Sequence, residues 1–295
     1  MADRLVTATT ADGMVSLVGG ITTELVGEVQ RRHQMAPSAA AAVGRLVSGG
    51  ALLGAGLTSR ERLTLQIVGD GPIGALTADV VALEAQTIGV RGYARNPEAD
   101  VPLNDRGKFD IARVVGTGRM QVTKSYEVGR PYTGVVPLVN GEIGDDLAGY
   151  LMNSQQIPNI VALGVLANPS GIIAAGGVIA EVMPGANETT IALLEERAAT
   201  MSPVTTQIHS GAQPEDLIRS LVGDAVKIYD ERPIVFACRC TREKVESALL
   251  GLGRDELVKI ATEQPQTEAT CEFCKRTYVL SRDDVVDLVA RIDAK

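Results

Sequence analysis

The residues best suited to chemistry lie in the last third of the chain. Cys238-Arg-Cys240 is followed, after thirty residues, by Cys271-Glu-Phe-Cys274, and no other cysteine occurs. Each short pair can present two sulfurs on one side of a tetrahedron, and the intervening segment is long enough to fold back and bring the second pair opposite the first. The expected ligand set is therefore Cys238, Cys240, Cys271 and Cys274 around one tetrahedral Zn²⁺, because thiolate is soft and suits zinc better than magnesium or calcium. Four protein ligands leave no open coordination position, so the site is not a hydrolytic one. The plainer alternative is a purely structural zinc ribbon. Against it stands the tight Cys238-x-Cys240 pair: a disulfide between positions i and i+2 would be strained and easily reduced, which suits a switch better than a staple.

These cysteines must be positioned by a small C-terminal unit, expected over residues 234–295. Thr241 is suited to cap a helix running to Leu250, with Gly253 as its stop. A second helix is expected over Arg254–Glu263, and a knuckle with a hairpin over Cys271–Leu280. Ser281-x-x-Asp284 then has the form of a capping box, leading a last helix with Val285, Leu288, Val289 and Ile292 on one face.

Upstream, an α+β domain is expected over residues 1–180, with an antiparallel-rich sheet and packed helices. Alternation marks strands at 5–8, 14–18, 63–68, 74–80, 88–93, 118–124, 132–139, 160–166 and 171–179. Asn140-Gly141 is read as a hairpin turn after Val139. Helices are expected over 22–32 and 144–153. The run 38–57, rich in Ala and Gly, approaches membrane-spanning length, but Arg45 near its middle and its glycines favour a buried, closely packed helix, with Arg45 paired or snorkelling at its edge. Gly69-Asp-Gly71-Pro-Ile-Gly74 matches the dinucleotide fingerprint in letters only: Pro72 interrupts it and another strand follows, so a glycine-rich hairpin is expected. Residues 181–233 read as a helical linker, with short helices over 188–201 and 214–221 broken by Pro and Gly. Such helices are marginal without a surface to pack on, so a metastable linker is expected.

Composition narrows the function further. Aromatic residues make up 3% of the chain, net charge is −8, and acidic residues outnumber basic ones over 238–295, so neither stacking platforms nor a basic footprint for nucleic acid is present. There is no Walker loop or Gly-x-Ser-x-Gly. The two histidines, His33 and His209, lie far from the cysteines in sequence and are not nominated as ligands. No enzymatic activity and no membrane association are expected; the competing reading is an enzyme with a structural zinc ribbon. The N-terminus lacks the basic-then-apolar pattern of a signal peptide, and metal-spaced cysteines suit a reducing compartment, so a cytoplasmic location is expected.

The sequence resembles the redox-regulated 33 kDa chaperonin family of bacteria. The resemblance rests on Pro233 through Gly253, including Cys238-Arg-Cys240, on Cys271-Glu-Phe-Cys274-Lys-Arg-Thr-Tyr278, and on His33–Arg45, Gly71-Pro-Ile-Gly74, Val90-Arg-Gly-Tyr93, Ser154-Gln-Gln-Ile-Pro158 and Ala175-Gly-Gly177. It covers essentially the whole chain, with no departure at the four cysteines. It implies an ATP-independent holdase that is inactive when reduced and zinc-bound. Oxidation would form disulfides Cys238–Cys240 and Cys271–Cys274, release the zinc, unfold the C-terminal unit and linker, and expose a surface for unfolded client proteins. It also implies a homodimer when oxidised. The physics agrees: a structural zinc site contributes on the order of 10–16 kcal/mol, more than a unit of this size can replace with its core.

Overall fold

The structure is a computed structural model describing residues 2–58 and 61–293. By contact it divides into two compact units, Met1–Ala237 and Cys238–Lys295.

The larger unit is built on one 10-stranded sheet. Its strands are β1 (Arg4–Thr10), β2 (Val15–Ile21), β3 (Arg62–Gly69), β4 (Ala75–Ala82), β5 (Ile88–Ala94), β6 (Gly118–Ser125), β7 (Tyr132–Pro137), β8 (Asn159–Asn168), β9 (Gly171–Val182) and β10 (Val226–Phe236). They lie in the order β7-β6-β3-β4-β5-β10-β1-β2-β9-β8, antiparallel throughout except where β10 meets β5. Among the described residues seven α-helices accompany them: α1 (Thr23–His33), α2 (Pro37–Leu53), α3 (Ile111–Val115), α4 (Gly144–Gln155), α5 (Glu188–Thr200), α6 (Val204–His209) and α7 (Pro214–Val222).

Period-two alternation gives the sheet two apolar faces near β1 and β2. Leu5 joins the core beneath α1, α2 and α4, with Leu46, Leu65, Val80 and Leu147. Val6, one residue on, joins Ala8, Leu17 and Val178 on the opposite face, where Leu194, Val204, Leu217, Ile218 and Leu221 of α5–α7 cover them. The helices expected over the linker thus have the packing surface they need.

The helical stretch Pro37–Gly56, α2 with the turn that follows it, is long and apolar enough to cross a membrane by length and composition, but it is mostly buried inside this unit, 83% of it, as a core helix would be. Its glycines allow the close packing. A Cβ at Gly49 would lie 2.4 Å from Leu147 Cδ1, and one at Gly92 on β5 would lie 2.4 Å from Val47 Cγ1. Arg45 forms an ion pair with Glu142, as one of the two expectations for it required. The Gly69–Gly74 segment is the turn between antiparallel β3 and β4, with no helix following it.

Two segments of the larger unit in particular differ from expectation. Asn140-Gly141 does not turn a hairpin. The Asp146 carboxylate accepts hydrogen bonds from the backbone N–H groups of Val139, Asn140, Gly141 and Ile143, and the chain enters α4. Asp230-Glu-Arg-Pro233, the close of the expected linker, lies within β10, which runs between β1 and β5. Pro233 is tolerated there because it stands where β10 changes partner: Val226–Pro233 pair with β1 and Ile234–Phe236 with β5.

The smaller unit contains α8 (Arg242–Leu250), α9 (Arg254–Glu263), the hairpin β11 (Gln266–Thr270) and β12 (Thr277–Ser281), and α10 (Arg282–Asp293). Thr241 Oγ1 accepts from Lys244 N–H at 3.3 Å, capping α8. Ser281 and Asp284 exchange bonds of 2.7 and 3.2 Å, the expected capping box. The core is small: Leu257, Ala261, Leu280, Val285 and Leu288 are buried, with Val245, Leu249, Val289 and Ile292 packed around them.

Candidate metal centre

The backbone of the smaller unit brings both cysteine pairs to one point. Cys238 and Cys240 lie on the extended segment just before the cap of α8, where Lys244 Nζ donates to the Arg239 carbonyl at 2.6 Å and fixes the residue between them. Cys271 and Cys274 lie on the connection between β11 and β12. Cys271 N–H donates to Arg276 O at 2.9 Å and Lys275 N–H to Cys271 O at 2.8 Å, folding the connection into a knuckle. Lys275 takes a left-handed φ of 56° to close it.

All four sulfurs lie within 4.8 Å of one another. Cys238 Sγ is 3.7 Å from Cys271 Sγ, and Cys240 Sγ is 3.3 Å from Cys274 Sγ. Four thiolates about 2.3 Å from a central ion stand about 3.8 Å apart, so the cluster has the size of a tetrahedral thiolate site. A disulfide needs about 2.0 Å, and none of the four cysteines is in one. Cys274 is buried and the other three are half-buried. Burial pushes the Cys274 thiol up to about 12, and the neighbouring sulfurs push the same way; burial also raises Cys271. Crowded, dehydrated sulfurs resist ionisation unless a cation compensates them. The donor set therefore fits a soft divalent metal ion.

All four residues nominated from the sequence converge here. One neighbour was missed: Tyr278 Oη donates to Cys240 Sγ at 3.2 Å. Tyr278 is the second residue of β12, the return strand of the knuckle, four residues beyond Cys274 in sequence. Only the fold shows that its hydroxyl reaches across to the other pair.

A family model described as Hsp33 protein matches residues 3–281. The chain belongs to the Hsp33 family. Among its relatives, the 33 kDa chaperonin of Geobacillus kaustophilus is 43% identical over 291 residues, covering 98% of each chain. That of Bacillus subtilis is 40% identical over 288 residues, covering 97% of this chain and 98% of its own. The crystal structure of the 33 kDa chaperonin from Thermotoga maritima superposes with a TM-score of 0.91 at 30% identity, covering 100% of both chains. The Hsp33 relatives carry the name of a chaperone, and the fold expectation of an α+β protein with clustered C-terminal cysteines is met.

Proposed function

We propose that this chain is a redox-switched, ATP-independent holdase that binds unfolded polypeptides in the cytoplasm and keeps them from aggregating. The observation that carries the switch is the gathering of four sulfurs, from two short pairs, in a unit whose own core, among the described residues, buries five apolar side chains. In the reduced chain, Cys238, Cys240, Cys271 and Cys274 hold one Zn²⁺. The bound ion would keep the four sulfurs as thiolates and supply much of the folding free energy of the smaller unit.

Oxidation by peroxide then removes the donors. Two thiolates lose two electrons and join as a disulfide, while one peroxide takes those electrons and two protons and leaves as two waters. The second pair repeats the step with a second peroxide. Cys238 pairs with Cys240 and Cys271 with Cys274, as the family resemblance implies. A disulfide sulfur is no longer a thiolate ligand, so the site no longer holds the ion, and the smaller unit loses its main support.

Residues 181–233 act as a metastable linker between a chaperone domain in the first 180 residues and a switch domain over 234–295. When the switch domain unfolds, the linker loosens, the chain dimerises, and client-binding surface becomes available. No nucleic acid, membrane or catalytic turnover is involved.

The test is light scattering from a chemically unfolded protein diluted into buffer with either the reduced, zinc-loaded chain or the peroxide-treated chain. Suppression by the oxidised sample alone supports the switch. Equal suppression by both, or by neither, contradicts it.

A further inference from the structure

We propose that the groove at the end of α2 is a binding site for an organic monocation, a primary ammonium carried on an apolar stem. This goes beyond the holdase reading and does not depend on it.

The alternation of β9 places one carboxylate there. Val178 and Ala180 join the core under α5–α7, whereas Ile179 joins the core beneath α1, α2 and α4. Glu181 stands two residues beyond Ile179, so its side chain lies on the same face of the sheet as that of Ile179. Both line a groove of about 410 Å³, together with Ser16 and Val18 of β2 and with Leu53 and Gly56 at the end of α2 and its following turn.

Glu181 is the uncompensated charge of this groove. Among the described residues it has no ion pair and no side-chain hydrogen bond, and burial raises its carboxyl above the ordinary value with no opposing effect. Its neighbour on β8 is Asn159, whose amide Nδ2 is already committed, donating to the Ala148 carbonyl at 3.1 Å and the Ile157 carbonyl at 2.8 Å. Its neighbour on β2 is Ser16, which is uncharged. The other two charged lining residues, Asp230 and Arg232, pair with each other at 2.8 Å, and Arg232 Nη1 also donates to the Leu57 carbonyl at 2.9 Å. The groove therefore carries a net charge of about −1, held on Glu181.

The end of α2 adds to the negative potential. This helix of 17 residues has no basic residue in its last turn, so no side chain of its own offsets the negative end of its dipole. A carboxylate that has lost part of its water is costly to keep charged unless a cation faces it. An ammonium supplies that charge, and Val18, Leu53 and Ile179 give its stem an apolar lining. Tyr229, 58% exposed, also lines the groove and adds an aromatic surface for a cation. An anion is repelled. A hard divalent metal ion needs more oxygen ligands than one unshared carboxylate provides.

Helices α5–α7 cover the opposite face of the sheet, so the site exists in the reduced protein and is tested there. Ligand-observed NMR titrations of the full-length, zinc-loaded chain compare n-hexylammonium with 1-hexanol, which has the same stem and no charge. The amine should bind about tenfold or more tightly than the alcohol, and Glu181→Gln should remove that advantage. Glu188→Gln, a change at the start of α5 outside the groove, should leave it intact. Backbone amide shifts on adding the amine should centre on Ser16, Ile179 and Glu181. Equal binding of amine and alcohol to the unaltered chain overturns the proposal, and this comparison needs no variant to fold. Unchanged amine binding in Glu181→Gln also overturns it, as do shifts confined to other segments. Two peptides, one with a single lysine among apolar residues and one with norleucine in its place, then identify the source of the ammonium. Displacement of the amine by the lysine peptide alone upholds the site as one for polypeptide side chains. Amine binding that neither peptide displaces upholds it as one for small free amines.

Discussion

Removing the metal from the reduced chain should unfold residues 238–293 and leave the large sheet intact. The smaller unit buries four large aliphatic side chains, Leu257, Leu280, Val285 and Leu288. At about 1.5–3 kcal/mol each, they supply about 6–12 kcal/mol before conformational entropy is charged against them. A structural zinc site contributes about 10–16 kcal/mol, comparable to or larger than that whole apolar term. Loss of the ion also leaves four thiols crowded within 4.8 Å of one another. The core beneath α1, α2 and α4 draws on none of this, since its side chains all belong to the larger unit. The assay is hydrogen exchange read by mass spectrometry before and after treatment with a strong chelator under reducing conditions. Amides of α9 and α10 should lose nearly all protection, while those of β3–β5 keep theirs. Retained protection in α9 and α10 after complete metal removal would mean that the core is sufficient alone and that the metal is not the unit's main support.

Three further outcomes follow from particular residues. Tyr278→Phe removes the hydroxyl that donates to Cys240 Sγ at 3.2 Å. It should weaken metal retention about tenfold, at the low end for loss of a group supporting a ligand, as read by competition with a chromophoric chelator. Asp3 is held near 6 by burial, which outweighs the lowering effect of the Glu24 and Leu25 N–H groups it accepts. Its folded pKa thus lies above the unfolded value, so its stabilising contribution is complete below about pH 4 and is lost as pH rises through 6. Urea melts of the larger unit should show this loss, about 3 kcal/mol, and its disappearance in Asp3→Asn. Gly49→Ala places a methyl 2.4 Å from Leu147 Cδ1 and should cost about 1–3 kcal/mol in the same melts.

The cysteine cluster was legible because metal spacing is a local signal that survives any detail of the fold. The α2 helix and the β3–β4 hairpin were legible for a related reason: composition and alternation over one segment decided them. Strand β10 was not. Asp230 and Arg232 break its apolar alternation, and only the structure shows that they pair at 2.8 Å and neutralise one another within the strand. Pro233, unfavourable inside a strand, has its place only because β10 changes partner there from β1 to β5. Asn140-Gly141 misled because its local preference for a hairpin is overridden by Asp146, which gathers four backbone donors. Strand β11, Gln-Thr-Glu-Ala-Thr, carries almost no apolar signal and is held by pairing with β12. Tyr278 was missed because its role depends on the return of the chain across the knuckle.

The most direct test of the switch follows two quantities in the same aliquots through a peroxide time course: zinc released per chain, and suppression of scattering from an unfolded client. The expected result is one zinc per reduced chain, its loss in step with the four thiols, and suppression that grows with the fraction released. Full suppression with the metal still bound, or complete metal loss and thiol oxidation with no suppression, would contradict it.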